Sequence, residues 1–152
     1  MDDLRQAGYL VAIAGGLCAL VLSAIVVIDL IGGVFYGAEF GYWALRRVAT
    51  VSYIVAIIML AFAGWQVARG RGFVDVMPQL LSGAGVLLAG GAVFEIFGVA
   101  LLMRLFDIGE FRGIAYFDPT YVTLGAVGLL LWLLGRLMRR AIFMARELEE
   151  FL

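Results

Sequence analysis

The sequence predicts an all-α integral membrane protein, a bundle of four transmembrane helices. Hydrophobic residues make up 64% of the chain and the mean hydropathy is +1.06. Charged residues are 15% and bunched, against about 25% in an average globular chain. Between the charges lie four apolar runs, each near the roughly 20 residues that a helix needs to cross about 30 Å of hydrocarbon. Within 152 residues little chain is left for a soluble domain. Strands are excluded on the same ground. In lipid the backbone must satisfy itself, which leaves helices or closed barrels, and a barrel strand alternates apolar with polar residues. These runs are apolar on every side.

The first span is expected over about 7–28, after the polar head Met1-Asp2-Asp3-Leu4-Arg5-Gln6. A signal peptide is the rival reading. Its apolar core would be shorter, about 7–15 residues, and would end in a small-residue cleavage site, so a spanning helix is preferred. The second span is expected over about 48–68, with residues 37–47 forming a short helix in the interface before it. The third covers about 79–103 and contains one carboxylate, Glu95. Pro78 suits the first turn of that helix. The fourth covers about 120–138, with Asp118 as N-cap and Pro119 at the first helical position. Arg136, Arg139 and Arg140 mark its end, and the tail 139–150 has helix formers and no breaker.

Orientation follows the distribution of arginine, since all eleven basic residues are arginine. With the N-terminus inside, Arg5, Arg69, Arg71, Arg136, Arg139, Arg140 and Arg146 lie inside. Arg46, Arg47, Arg104 and Arg112 then lie outside. The excess favours cytoplasmic N- and C-termini. The outer loops are aromatic, with Phe35, Tyr36, Phe40, Tyr42 and Trp43 in one and Phe106, Phe111, Tyr116 and Phe117 in the other. Such rings form an interfacial belt or line the mouth of a ligand site. A net charge of −1 gives no basic face for direct nucleic-acid binding. The lone Cys18 can form no intrachain disulfide and reads as a small apolar residue in a span.

Small residues fall in stripes. In the first helix Ala12, Gly16, Ala19 and Ser23 share one face. In the third, Gly91, Glu95 and Gly98 do, extended back by Ala84. In the fourth, Gly125, Gly128, Trp132 and Gly135 do. Membrane helices pack closely at small residues because lipid is as apolar as leucine. Gly16, Gly91, Gly98, Gly128 and Gly135 are therefore expected at helix–helix contacts.

Glu95 is the most informative single residue. A charge in the bilayer costs on the order of 2.5–3.5 kcal/mol even on the lenient insertion scale, so its stripe should face other helices. Depth-matching on the antiparallel second helix selects Ser52 and Tyr53 as hydrogen-bonding partners. Two roles stay open: a structural polar lock between helices, or an ion or proton site. At the outer surface Asp29 is expected near Arg46 and Arg47, as an ion pair or as a solvated edge.

With no histidine, no carboxylates paired at a catalytic-looking spacing, no phosphate loop and no nucleophile elbow, no active site, metal site or cofactor site can be assembled. No cofactor is expected. The link Arg69-Gly70-Arg71-Gly72-Phe73 followed by Leu80 and Leu81 makes an Arg-Gly-x-x-Phe … Leu pattern. The segment Gly125 to Phe151 is a long apolar helix ending in paired arginines and an acidic stretch. Together these resemble the bacterial domain-of-unknown-function family 2975, small four-helix membrane proteins with no assigned activity. The family usually carries basic residues between the Phe and the third helix, where this chain has only Gln79. The resemblance covers nearly the whole chain and implies no catalytic residues. It also implies a membrane partner for a small helix-turn-helix regulator encoded nearby.

The leading expectation is a non-enzymatic accessory protein of the bacterial inner membrane, held by the lipid bilayer, that binds a protein partner or copies of itself through its cytoplasmic arginines and tail or through its outer aromatic surface. The alternative is a small channel or transporter subunit using Glu95. A membrane enzyme comes third.

Overall fold

In the computed structural model the chain is all-α, a four-helix bundle. The structure describes residues 2–36, 40–69, 73–106, 115 and 117–150. Helix α1 runs Asp2–Tyr36 and α2 runs Phe40–Ala68. The third span is composite: α3 at Phe73–Val93, a π-helical turn at Phe94–Gly98, and α4 at Val99–Leu105. Helix α5 runs Pro119–Glu150. Four helices are long and apolar enough to cross a membrane, over Arg5–Phe35, Arg47–Ala68, Val76–Leu105 and Pro119–Leu148. The chain is thus a multi-pass membrane protein.

The helices outrun the apolar runs that predicted them. The α1 helix continues past Asp29 to Tyr36, across the helix-weakening pair Gly32-Gly33 and with no proline to stop it. Residues 40–47 belong to α2 itself, so the separate interfacial helix expected there does not exist, and 37–39 lie outside the described residues. Pro78 does not open its helix. It sits inside α3 and is fully buried. Its missing N–H costs one backbone bond, and α5 approaches it closely through Gly135, where a Cβ would lie 2.7 Å from the Pro78 carbonyl oxygen. The start of α5 matches its chemistry: Asp118 Oδ1 accepts the Thr120 N–H at 2.8 Å and Pro119 is the first residue of the helix. From there α5 runs unbroken through 139–150.

Helices pack in chain order: α1 on α2, α2 on α3 and α3 on α5. All neighbours are antiparallel, and glycine sets the contacts. A Cβ on Gly8 would lie 2.7 Å from the Gly64 carbonyl, and one on Gly15 would lie 2.8 Å from Ala61 Cβ. Across α3 and α5, a Cβ on Gly85 would meet the Trp132 nitrogen at 2.5 Å, and one on Gly128 the Ala89 nitrogen at 2.6 Å. With no Cβ the backbones touch directly, which gives dispersion contact where the hydrophobic effect offers no drive. One core, Ala19, Val26 and Ile54, joins α1 to α2. A second, Ala56, Ala84 and Leu88, is flanked by Leu124 and Leu131 and joins α2, α3 and α5.

Two expected packing glycines are elsewhere. Gly16 has open space where a Cβ would stand, and the close approach is made by its neighbour Gly15 together with Gly8. Because α1 is apolar all round, its sequence carries little contrast to fix which face turns inward. Gly98 is shielded by its own helix, since a Cβ there would strike the Phe94 ring at 2.6 Å. The cause is the π turn. One extra residue per turn rotates everything beyond it by about 100°, so the four-three spacing from Gly91 no longer holds at Gly98. Val99, Ala100 and Met103 take over the buried face.

Candidate functional site around Glu95

Glu95 is the one buried charged side chain among the described residues, with 5% of its surface exposed. It stands on the second residue of the π turn. There the Val99 N–H donates to the Phe94 carbonyl, five residues back, in place of the usual four. The wider turn aims Glu95 and Ile96 together into the bundle. π turns of this kind concentrate at functional positions in helices.

Close packing beside the carboxylate is made by α2. A Cβ on Gly91 would collide with the Ser52 hydroxyl oxygen and would lie 2.6 Å from Tyr53 Cε1. The depth-matched pair is therefore at Gly91, one turn before Glu95. The hydrogen bonding differs from expectation. The Ser52 hydroxyl donates to the Ala49 carbonyl of its own helix at 2.7 Å. The Tyr53 hydroxyl is buried and makes no hydrogen bond among the described residues. Tyr53 lies near both Glu95 and Tyr121 of α5.

Tyr121 was not singled out in the sequence. Its signal lay in the register of α3 against α5. The close approaches of Gly85 to Gly128 and Trp132, and of Gly125 to Ala92, fix that register. Continued along both helices, it brings Glu95 level with Tyr121. The same continuation from Gly83 beside Met59 and Gly91 beside Ser52 and Tyr53 sets Glu95 level with about residues 47–49 of α2. Arg47 in turn pairs with Asp29 of α1. All four spans thus place a polar side chain in one layer: Asp29, Arg47, Glu95 and Tyr121.

The ion pair has its own asymmetry. The side chains are 27% exposed for Arg47 and 36% for Asp29, while Arg47 Nε is buried without a hydrogen bond. The solvated-edge reading of Asp29 gives way to a half-buried contact that ties α1 to α2.

Chemically, a carboxyl group near the Tyr53 phenol can accept or give a proton, and the site is formed on rigid helices. No group of three or more His, Cys, Asp or Glu converges among the described residues to hold a metal. Gly128 and Gly135 lie at the α3–α5 contact, away from this layer, and serve packing. No protein family, curated protein or solved structure matches the chain.

Proposed function

We propose that this protein is a non-enzymatic accessory protein of the bacterial inner membrane that binds a partner within the bilayer, either another protein or a second copy of itself. The observation that carries this reading is the packing in chain order. α1 and α5 each lean mainly on one neighbour, so only 11% of their spanning windows is buried. Two long apolar flanks are left for lipid or for another helix. The arginine excess supports cytoplasmic termini, and both termini belong at the same end of an antiparallel four-helix array. Kinship with family 2975, and with it a regulator as partner, belongs to the same proposal.

Photo-crosslinking tests it. A photoreactive amino acid at Leu20 on α1 or Leu130 on α5, both exposed, is activated in intact membranes. A discrete protein adduct, or one at twice the chain mass, is the expected result. Adducts with lipid alone at both positions count against it.

A second reading, a small channel or transporter subunit, is favoured by one observation: Glu95 is buried on a π turn in a span. An ionisable residue so placed is a functional candidate by default. Proteoliposomes loaded with a pH-sensitive dye distinguish it. Proton flux that Glu95→Gln abolishes, with the fold intact, would displace the accessory reading.

A further inference from the structure

We propose that the exposed face of α5 from Trp132 to Glu147 is a binding site for the phosphate of an anionic phospholipid. A groove of about 590 Å³ runs along this face, lined by Trp132, Arg136, Arg139, Arg140, Phe143, Met144 and Glu147. These positions follow helical spacing, so one side of one helix presents three guanidinium groups in just over one turn.

Four features point to a lipid phosphate. First, Arg136, Arg139 and Arg140 line the groove together. Guanidinium groups suit phosphate oxygens by their forked geometry. Second, Arg136 lies over the Trp132 ring, 5.5 Å from its centroid. That holds one cation beside an indole, the ring type that favours the headgroup level of a bilayer. Third, the groove starts in the apolar span and ends past the arginines, so it crosses the depth at which phospholipid phosphates lie. Exposed Leu129, Leu130 and Leu133 lie just before it, where acyl chains would run. Fourth, Glu147 closes the far end. A carboxylate there disfavours headgroups with several phosphates. It suits a single phosphodiester whose headgroup carries hydroxyls, such as phosphatidylglycerol.

The full chain, carrying Trp43→Phe and Trp65→Phe so that Trp132 alone reports, is reconstituted in bilayers mixing phosphatidylcholine with brominated phosphatidylglycerol, and in the reverse mixture. Bromine quenches a tryptophan that it touches, so the two mixtures give the relative affinity of the site. Preference for the anionic lipid is expected on the order of fivefold for each arginine engaged. It should vanish in the variant Arg136→Gln, Arg139→Gln, Arg140→Gln and survive in part with lysine at the same positions, which also guards against misfolding of the glutamine variant. It should persist in Arg5→Gln, Arg69→Gln, which removes charge elsewhere. Equal loss in that control would reduce the effect to general surface charge and overturn the site. So would quenching without preference, or displacement by inorganic phosphate at constant ionic strength, which would make free phosphate the ligand.

Discussion

Tyr53 lies against Gly91 so closely that a single methyl group at position 91 would come within 2.6 Å of its ring. This contact sets the distance between α2 and α3 beside the buried carboxylate. Gly91→Ala should therefore destabilise the bundle by about 1–3 kcal/mol, the usual cost of overpacking. Gly85→Ala should cost at least as much, because it meets the α5 backbone at 2.5 Å, and backbone cannot rotate away. Gly16→Ala, with nothing within 4 Å, should be neutral or stabilise by up to about 1 kcal/mol through helix propensity. Thermal unfolding in detergent orders the three. A destabilised Gly16→Ala would contradict the packing described for α1.

Tyr53→Phe removes a hydroxyl that is buried without a hydrogen bond among the described residues. An unsatisfied buried polar group costs about 1–3 kcal/mol, so the substitution should be neutral or stabilising. Glu95→Gln should keep the bundle folded, since the amide still accepts a hydrogen bond. If Tyr53→Phe lowers stability by more than about 1 kcal/mol, the phenol has a partner that this geometry does not provide.

The pair Asp29 and Arg47 should show coupling of about 1 kcal/mol in a double-mutant cycle, the upper part of the range for partly exposed pairs. Asp29→Asn alone should cost more than Asp29→Asn with Arg47→Gln. The single change leaves a half-buried guanidinium without its counter-charge.

Much of this was legible in the sequence, and the losses have physical causes. Length and hydropathy suffice for four spans, because bilayer thickness sets a length that few soluble helices share. Asp118 and Pro119 mark the start of α5, because capping is local chemistry. Helix rotation is another matter. α1 offers no polar face, and the difference between Gly15 and Gly16 depends on where Ala61 of α2 arrives. The π turn has no side-chain signature, so Gly98 was placed by a spacing that the turn cancels. Tyr121 needed the α3–α5 register, which only the Gly85 and Gly128 contacts reveal.

Sidedness is open to a direct check. In a Cys18→Ala background, single cysteines in 69–77 should resist a membrane-impermeant thiol reagent added to intact cells. Cysteines in 106–118 should react. The opposite pattern would invert the orientation that the arginines favour.

Packing in chain order also bears on how the protein is made. Each helix after the first finds a packing neighbour already in the membrane. α2 closes on α1 through Gly8, Gly15 and the Asp29–Arg47 pair before α3 is synthesised, and α5 later closes on α3 through Gly85, Gly128 and Gly135. With contacts this local, assembly need not await a distant partner. The chain should therefore tolerate being cut between its second and third spans, with the two hairpins made separately and rejoining along α2 and α3.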